Sequence, residues 1–371
     1  MRILHIIPSL DVGGAESVTY SLANGLTSKG HSVSLLTESI VPANKMMSNI
    51  EYQTIENPLQ NWRISGFLGI ILWGLRHRSF FKNFDLVHCH LNRGMILGLI
   101  LSFSNPKKRP IIIATCHSVG GNISNLRIAF EKFCSIRFDA FVLMATNNDW
   151  SRFGEKKWSK NLQYIQNGII GLPRTTVEIK RKSNKIVVGT LSRLSADRKP
   201  ELFLNLFKEI SNLNNEIDFV IGGTGVLKEQ LENAAKGLNL DSIQWLGEVT
   251  EKPEFFQEID LYITLVVGET SGIAGLEAVS VGLPVFGIQL LEKYDEVEDS
   301  FIYSSSNPKI LANKIVESIS NPAALEDLKE QQARVFNSQF TFQIMLQKYE
   351  TLYKTLLKQD GRTNKFLPDS K

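Results

Sequence analysis

Glu269 and Glu277, with seven residues between them, are the side chains whose types and spacing most clearly suggest ligand chemistry. Residues 260–267 before them are apolar and rich in branched side chains, which is typical of a buried parallel strand. Residues 273–281 are predicted to form a short helix that stops at Gly282. One carboxylate would therefore lie on the loop before a helix, and the other on the helix itself.

The small residues between this strand and helix leave backbone N–H groups near Gly272, Ile273 and Ala274 open, which makes an anion site that the helix dipole reinforces. Carboxylates beside such a site could accept hydrogen bonds from hydroxyls while the amides hold a phosphate. A sugar nucleotide has this chemistry, with hydroxyls on both sides of a diphosphate. The structural alternative is that Glu269 favours a helix start and that Glu277 is a solvated surface residue.

A basic loop with Arg193, Arg198 and Lys199 follows the strand predicted at 185–191. Its charge would point at the carboxyl edge of a parallel sheet, where open α/β sheets bind ligands. Arginine binds phosphate through two N–H groups, and lysine acts as a point charge. The alternative is a solvated basic loop.

A glycine-rich turn with Gly13 and Gly14 follows the strand predicted at 2–8 and precedes a helix. Glycine lets the backbone approach a phosphate or sugar closely. The turn lacks the G-x-G-x-x-G dinucleotide fingerprint, and glycines in such a turn can also serve packing alone.

Length and composition indicate a soluble protein of two domains. The chain has 371 residues, 43% of them hydrophobic and 21% charged. Residues 1–170 hold 18 Lys and Arg against 10 Asp and Glu, whereas the remainder holds 23 against 28. A basic half beside an acidic half suggests that one domain meets an anionic surface or substrate, although drift of surface charge is the alternative.

The sequence predicts a cytoplasmic protein. The three cysteines have no metal-ligand spacing and suit reduced thiols. The apolar run at the start is too short for a signal peptide, and no apolar stretch is long enough to span a bilayer. We expect no nucleic-acid partner.

Short apolar strands alternate with helical segments, which predicts βαβ units and parallel sheets in an α/β fold. The predicted strands are 2–8, 32–37, 86–89, 111–115, 140–145, 162–166, 185–191, 219–222, 243–246, 261–266 and 284–287. The predicted helices include 16–30, 127–136, 200–213, 226–238 and 273–281. Polar and basic residues over 171–184 mark the domain boundary.

These motifs, in their order and spacing, resemble glycosyltransferase family 4, whose members are retaining, nucleotide-sugar-dependent enzymes with the GT-B fold. The resemblance covers essentially the whole chain. Besides the glycine turn, the basic loop and the glutamate pair, it includes residues 85–90, 114–117, 164–169, 222–225 and 282–285.

The resemblance implies two Rossmann-like domains whose parallel sheets face each other across a cleft. Residues 1–170 would be the acceptor-side domain, and residues 171–335 would bind the nucleotide sugar. Residues 336–358 would form a helix that returns to the first domain. The polar residues 359–371 are expected to be a disordered tail.

The resemblance also implies roles for individual residues on the donor side. Glu277 would hold the ribose hydroxyls, and Glu269 the hydroxyls of the donated sugar. The amides near Gly272, Ile273 and Ala274 would meet the diphosphate and sugar. Arg193 and a basic partner would neutralise the diphosphate as it leaves.

In the first domain, the resemblance implies that Gly14 contacts the donor phosphates or sugar and that His117 lies near the sugar at the reaction centre. For His117 the alternative is a hydrogen-bonded structural role at the end of a buried strand. His90 and Asn167 are candidate acceptor-side residues.

Two departures from the family pattern affect these expectations. Many members have a Lys five positions after the Arg, but here that position is Arg198 and Lys199 follows it, so either could contact the diphosphate. The common Gly-Phe-Gly-Leu-Pro segment is replaced by residues 270–274, of which only Gly272 is kept, so the sugar pocket is expected to be reshaped.

No Asp-x-Asp suits a metal-bound diphosphate, and no His/Cys/carboxylate cluster has ligand spacing, so we expect a metal-independent transferase without a cofactor. Retention follows from the family only. No residue stands out as a covalent nucleophile, and attack by the acceptor hydroxyl on the same face is the working hypothesis.

An apolar, aromatic segment with basic ends spans residues 61–82, and further basic residues lie at 107–109 and 152–160. Together they could hold the first domain on an anionic membrane face, which would suit a lipid-linked saccharide acceptor in bacterial surface polysaccharide assembly. The equally weighted alternative is that residues 67–75 form one buried helix.

Two other functions remain open at this level. A non-hydrolysing sugar-nucleotide epimerase would need additional carboxylates and histidines for proton abstraction, and the sequence shows no such set. A catalytically inactive sugar-nucleotide binding module is disfavoured by the presence of Glu269, Glu277, Arg193 and His117.

Overall fold

The computed structural model of the chain describes residues 1–10, 13–38, 50–54, 65–117, 124–144, 162–173, 185–267, 270–290 and 301–361. The chain forms two compact units. The first comprises Met1–Gly168 together with Phe342–Lys371, and the second comprises Ile169–Thr341. Each unit is an α/β domain built on a parallel sheet.

The first unit has a seven-stranded parallel sheet in the order β3-β2-β1-β4-β5-β6-β7. Its strands are β1 (Arg2–Ile6), β2 (Ser32–Thr37), β3 (Glu51–Thr54), β4 (Leu86–His90), β5 (Ile111–Cys116), β6 (Ala140–Leu143) and β7 (Leu162–Tyr164). Its helices before the second unit are α1 (Gly14–Ser28), α2 (Ser65–Arg76), α3 (Leu91–Ser102) and α4 (Asn125–Arg137).

The two faces of this sheet carry different side chains, because successive residues of a strand point to opposite faces. Leu4 and Ile6 of β1 belong to the apolar core that α2, α3 and α4 complete. His5 of β1 and His88 and His90 of β4 alternate with those core positions, and all three are fully buried. The sheet therefore has one face that packs on the apolar core and one face with a buried row of histidines.

The second unit has a parallel sheet of six strands in the order β10-β9-β8-β11-β13-β14, with β12 paired antiparallel to the end of β11. Its strands are β8 (Ile186–Leu191), β9 (Ile217–Gly222), β10 (Ile243–Gly247), β11 (Leu261–Val267), β12 (Thr270–Ser271), β13 (Val285–Gln289) and β14 (Ser304–Ser305). Its helices are α5 (Glu201–Leu213), α6 (Lys228–Gly237), α7 (Lys252–Glu258), α8 (Ile273–Ser280), α9 (Pro308–Ser320) and α10 (Pro322–Val335).

In both sheets the strand order reverses at the first strand of the unit. The second and third strands lie on one side of it, and the fourth and later strands lie on the other. Such doubly wound sheets bind ligands outside the carboxyl ends of the strands at the reversal point. This point lies between β1 and β4 in the first unit and between β8 and β11 in the second.

The last helix, α11 (Phe342–Gln359), belongs to the first unit, whereas residues 336–341 before it belong to the second. It packs on α1 so closely that a methyl group added at Gly25 would lie 2.5 Å from the Phe342 ring. The Tyr349 hydroxyl lies 2.9 Å from Thr115 Oγ1 on β5. Of the predicted tail, residues 362–371 lie outside the described part of the chain.

Glu350 of α11 is the centre of a charged network with Lys29, His31 and Lys354. Its carboxylate lies 3.1 Å from the Lys29 ammonium, 3.1 Å from His31 Nε2 and 2.7 Å from the Lys354 ammonium. Burial acts to raise the pKa of Glu350, but the hydrogen bonds from Lys354, Lys29 and His31 outweigh it and lower this pKa to about 2. The network therefore ties α11 to α1 with an ionised carboxylate.

The predicted strands and helices are confirmed, with ends that shift by at most two residues. The elements not predicted from the sequence include β3, β12, β14, α3, α7, α9 and α10. Residues 67–75 lie in the helix α2, as the structural alternative held. That helix is only half-buried, because Leu68, Leu72 and Leu75 are exposed. Among the described residues, no helix has the length and apolarity to cross a bilayer.

Candidate active site

Arg193 lies on the loop after β8, and the backbone of its two neighbours holds that loop in place. The Ser192 amide donates to the Gly222 carbonyl at 3.0 Å, and the Leu194 amide donates to the Thr224 carbonyl at 3.0 Å. Leu194 is buried, whereas Arg193 is exposed. The loop is thus anchored to the end of β9, while the Arg193 side chain stays exposed at the surface.

Two glycines make this close approach of backbone segments possible. Gly223 has φ +128°, and a methyl group there would lie 1.9 Å from the Ser192 carbonyl oxygen. Gly225 has φ +158°, and a methyl group there would lie 2.3 Å from the Leu194 carbonyl oxygen. A side chain at either position would push the Arg193 loop away from the sheet edge.

Asp197, which the sequence analysis did not single out, organises the cations of this loop. Its carboxylate lies 3.2 Å from Arg193 Nη2 and 3.6 Å from Arg198 Nε, and it accepts a hydrogen bond from Ser195 Oγ at 2.6 Å. The hydrogen bond from Ser195, followed by the charges of Arg193 and Arg198, lowers the pKa of Asp197. The sequence feature that points to this ion pair is that Asp197 lies four residues after Arg193.

Lys199 has a left-handed backbone, with φ 44° and ψ 52°, at the turn into α5. Its side chain is exposed, and within the described residues no carboxylate pairs with its ammonium group. Of the two candidate partners of Arg193, Arg198 is thus paired with Asp197 and Lys199 is not. Lys199 is the cation of this loop with the fewest competing contacts.

The N-terminus of α8 has no side chain that caps it. Gly272 occupies the cap position with an extended backbone, and no side-chain hydrogen bond is made there. Ile273 and Ala274, the first two helical residues, are half-buried. Open N–H groups at a helix N-terminus attract anions, so this end of α8 suits a phosphate.

Glu277 lies one turn further along α8 and forms an ion pair that the sequence did not reveal. Lys252 Nζ, at the start of α7, donates to both carboxylate oxygens of Glu277 at 2.8 Å. The Glu277 side chain is 12% exposed and that of Lys252 42%. Glu277 is therefore not a solvated surface residue, which excludes the structural alternative for this position.

Tyr262 of β11 shows that the basic loop and Glu277 lie at the same sheet edge. Its hydroxyl donates to the Leu191 carbonyl at 3.2 Å and accepts from the Leu191 amide at 3.1 Å, at the end of β8. Burial raises the pKa of Tyr262, and the charge of Glu277 adds to this effect. Arg193 lies two residues beyond Leu191. The loop that carries Arg193 and the helix that carries Glu277 therefore follow the neighbouring strands β8 and β11, where the strand order reverses.

Glu269 lies outside the described residues. The chain on either side of it is described, and it folds back on itself, because Val266 pairs with Ser271 in an antiparallel arrangement. The segment between the two glutamates therefore includes a short strand, β12, where the sequence analysis expected a loop.

In the first unit, Gly14 is the first residue of α1, at the carboxyl end of β1. The preceding Gly13 caps the helix without a side chain, and a methyl group there would lie 2.1 Å from Glu16 Oε2. The Glu16 carboxylate therefore already lies against this helix N-terminus. Asn167 is half-buried and follows β7.

His117 and His90 are hydrogen-bonded to each other. His90 ends β4, His117 follows β5, and His90 Nδ1 lies 2.9 Å from His117 Nε2. Burial lowers the pKa of His117 to about 4 and holds that of His90 well below its usual value, so both imidazoles are neutral at pH 7. Within the part of the chain that the structure describes, His117 Nδ1 is buried without a hydrogen-bond partner. One nitrogen of His117 is thus structural and the other is available.

Two further histidines, His5 and His88, join this pair, and the sequence analysis singled out neither. Nitrogens of His5, His88 and His90 lie within 4.8 Å of one another, although their sequence spacing suggested no cluster. The strand register explains the difference, because His5 of β1 is aligned with His88 of β4. The sequence feature that points to this cluster is the spacing of His88 and His90, because residues two apart on a strand share one face of the sheet.

Two family models match the chain, one to each half. Glycosyltransferase Family 4 matches residues 12–169, and Glycosyl transferases group 1 matches residues 174–335. The chain is a family 4, group 1 glycosyltransferase.

Curated relatives of this glycosyltransferase include an O-antigen biosynthesis glycosyltransferase and a glucosaminyl malate synthase. The O-antigen biosynthesis glycosyltransferase WclY of Escherichia coli is 24% identical over 236 residues, which are 61% of this chain. The match spans 65% of that protein, just under two thirds of its length. The N-acetyl-alpha-D-glucosaminyl L-malate synthase of Bacillus anthracis is 20% identical over 370 residues, 94% of this chain and 96% of that protein.

Among solved structures, Anabaena Alr3699/HepE in complex with UDP matches the glycosyltransferase with a TM-score of 0.73 at 16% identity. The match covers 96% of this chain and 100% of that one. A likeness at this identity concerns the fold, which is GT-B.

Proposed function

We propose that the transferase moves a sugar, with retention of configuration, from a nucleotide-diphosphate sugar to a saccharide or lipid-linked saccharide in bacterial surface polysaccharide assembly. The proposal is supported by the positions of Arg193, on the loop after β8, and of Glu277 on α8, a helix whose N-terminus no side chain caps. The UDP bound in the Anabaena structure and the O-antigen role in the name of the Escherichia coli relative support it.

The chemistry at this edge suits a nucleotide diphosphate. Arg193, a second cation from Lys199 or Arg198, and the amides of Ile273 and Ala274 supply fixed positive charge for the diphosphate. A carboxylate has about four acceptor sites, and Lys252 uses two of those on Glu277. The remaining acceptor sites can receive hydrogen bonds from two ribose hydroxyls.

The first unit contributes to the same reaction under this proposal. His117 and Gly14 contact the donor sugar and phosphates, Glu269 binds sugar hydroxyls, and His90 and Asn167 lie on the acceptor side. The bond from the anomeric carbon to the diphosphate breaks as the acceptor oxygen attacks the same face, and the acceptor proton passes to the leaving oxygen. Fixed cations stabilise the leaving charge in place of a metal ion.

A panel of nucleotide sugars tests the reaction class. We expect slow release of free sugar from one donor, such as UDP-glucose, UDP-N-acetylglucosamine or GDP-mannose, in the presence of EDTA. Isomerised donor would indicate an epimerase, and binding without turnover would indicate an inactive module. Loss of turnover with EDTA that a divalent metal restores would contradict metal independence.

A second experiment tests the role of Glu277 directly. Affinities for UDP and for 2′,3′-dideoxy-UDP, or for the guanosine pair if GDP binds more tightly, are measured with the native protein and Glu277→Gln. We expect the substitution to weaken binding of the ribonucleotide and to leave the dideoxynucleotide unaffected. An equal loss for both ligands would show that Glu277 does not read the ribose.

We also propose that α2 places the first unit on an anionic membrane. Leu68, Leu72 and Leu75 form an outward stripe and are 47%, 43% and 45% exposed, whereas Ile70 and Trp73 point into the core. Residues separated by three and four positions share one face of a helix, so the stripe is continuous.

Basic residues surround this stripe. Arg76, Arg78 and Lys82 are exposed at and after the end of α2. Residues 65–139 hold ten Lys and Arg against three Asp and Glu, and each of those three acids is paired with an arginine. Apolar side chains with uncompensated cations suit anionic lipid, as a lipid-linked acceptor requires.

Vesicle co-sedimentation tests the membrane proposal. We expect binding to vesicles that contain anionic phosphatidylglycerol at low salt, and weaker binding at high salt. Leu68→Ser with Leu72→Ser should reduce binding, whereas Leu213→Ser, at an equally exposed leucine of the second unit, should not. Absence of binding at low salt would end this part of the proposal.

A further inference from the structure

The three histidines His5, His90 and His117 form one continuous hydrogen-bonded chain. His5 Nδ1 lies 2.9 Å from His90 Nε2, and His90 Nδ1 lies 2.9 Å from His117 Nε2. The His5 and His90 rings are fully buried, and His117 is half-buried. The two nitrogens at the ends of the chain, His5 Nε2 and His117 Nδ1, are buried without a hydrogen-bond partner in the described structure.

The hydrogen-bonded chain of these three histidines is uncharged. Burial lowers the pKa of His5 to about 3 and that of His117 to about 4, and it holds the pKa of His90 well below its usual value. A neutral imidazole carries one proton on one of its two nitrogens. Three rings therefore share three protons among six nitrogens.

Only two proton arrangements make both hydrogen bonds of a neutral chain. Each N···N contact needs one proton, because a nitrogen that donates must face one that accepts. In the first arrangement, all three rings carry the proton on Nδ1, and His117 presents an N–H. In the second, all three carry it on Nε2, and His117 presents a lone pair. Every mixed arrangement leaves a contact with no proton or with two.

We propose that His5 and His90 are positioning residues that force the three rings into one shared tautomer and thereby set whether His117 Nδ1 donates to, or accepts from, a ligand hydroxyl. The chain itself follows from the geometry, and its use at a sugar hydroxyl rests on the proposed function. A change of arrangement moves both shared protons across their N···N contacts. One proton is taken up from water at one end while another is released at the other, so the charge stays zero.

His88 lies beside the chain but is not part of it. Its Nδ1 lies 2.6 Å from the Tyr353 hydroxyl and its Nε2 lies 2.8 Å from Thr115 Oγ1, so both nitrogens are already used. The titratable groups of α11 that face this cluster are Tyr349 and Tyr353, and burial raises the pKa of each, so neither hydroxyl ionises at pH 7. No described charge perturbs the chain from that side.

The same nitrogens could be considered as ligands of a metal ion, but their spacing fits hydrogen bonds better. Two nitrogens bound tetrahedrally to zinc at its usual bond length lie roughly 3.3 Å apart. The His5–His90 contact is 2.9 Å, which is the ordinary length of a nitrogen hydrogen bond. A metal ion would also have to displace one of the hydroxyl partners of His88.

Nitrogen NMR of the full chain tests the shared tautomer without any substitution. The protein has six histidines, so two-bond ¹H–¹⁵N correlations of histidine-labelled protein are resolvable, and His→Gln variants assign them. At pH 7 we expect His5, His90 and His117 to be neutral and to carry the proton on the same ring nitrogen. Mixed tautomers, a charged ring or stoichiometric bound zinc would overturn the proposal.

The ligand-bound state separates this inference from the proposed function. The donor sugar nucleotide that the panel identifies is added, and its binding is followed independently by calorimetry. We expect the three resonances to respond together, as one unit. A response of His117 alone would overturn the coupling. Failure of every nucleotide to bind would instead refute the proposed function. The tautomers measured in the free protein would still test whether the three histidines share one arrangement.

Paired substitutions at His5 distinguish a relay from simple packing. Asn places an amide near the position of Nδ1 that can face His90 Nε2, whereas Phe keeps the ring shape and removes the nitrogen. We expect His5→Phe to lower kcat/KM about fivefold, which is the effect of one neutral hydrogen bond, and His5→Asn to retain most of it. His88→Phe, the same change off the chain, should lower thermal stability and leave kcat/KM of the folded fraction unchanged. If His5→Phe is as active as the native protein, the inference is wrong.

Discussion

Replacement of Lys252 by Met is the sharpest test of how the candidate donor site is built. The substitution removes two hydrogen bonds of 2.8 Å to the carboxylate of Glu277, a side chain only 12% exposed. Hydrogen bonds to charged groups contribute about 1.5–3 kcal/mol, but exposed pairs contribute about 1 kcal/mol or less. Because Lys252 is 42% exposed, an intermediate loss is expected.

We expect Lys252→Met to lower the free energy of unfolding of the second unit by about 1–2 kcal/mol. If nucleotide binding loses the same free energy, its dissociation constant should rise roughly 5- to 30-fold, since 1.4 kcal/mol corresponds to a factor of ten. The expected cause is that Glu277 loses the partner that fixes its rotamer.

Urea denaturation and calorimetric titration with UDP or GDP measure these two quantities. Lys329→Met is the matched control, because it removes the same charge from an ion pair with Glu326 on the surface of α10. The control should change stability by no more than about 0.5 kcal/mol and leave affinity unaltered. Native affinity in Lys252→Met would refute the claim that this pair prepares Glu277 for the ribose.

Three further predictions concern stability. Glu350→Gln should lower the free energy of unfolding by about 1 kcal/mol at pH 7. Because the pKa of Glu350 is lowered to about 2, this difference is present above pH 4.5 and disappears as the pH falls towards 2. Urea titrations at several pH values measure it. Tyr353→Phe leaves the buried His88 Nδ1 without its 2.6 Å partner and should cost about 1–2 kcal/mol in the same assay, and an unchanged urea midpoint would contradict the contact. Gly223→Ala places a methyl group 1.9 Å from the Ser192 carbonyl oxygen at a positive φ, so we expect a loss of about 3 kcal/mol or more, or no folded protein, and a native melting temperature would disprove the close approach.

Most of the fold could be predicted because it depends on local patterns. The buried parallel strands are continuous apolar runs, and the turns between strands and helices carry glycine and proline, so these elements were found within two residues of their ends. The short strands β12 and β14, of two residues each, have too few residues for any period to show. Helices such as α3 were not predicted because they are apolar on nearly every side, so their sequence shows no helical period of apolar and polar residues.

Parts of the candidate site were predictable for the same reason. A cation after one strand and an acid on the helix after the neighbouring strand belong to the same side of a parallel sheet, as Arg193 after β8 and Glu277 on α8 after β11 do. The partners of these residues were not predictable. Lys252 is 25 residues from Glu277, and no spacing rule connects them.

The sequence by itself determined the elements, the family and the edge of the sheet at which ligand chemistry gathers, because hydrophobic period and motif order are properties of the chain. Tertiary structure alone decided which side chains touch. Parallel register placed His5 beside His88, the alternation of β4 turned His90 to the same buried face, and the return of α11 covered that face with tyrosines. These contacts join residues up to 265 positions apart, where only the three-dimensional packing of strands and helices brings them within hydrogen-bond distance.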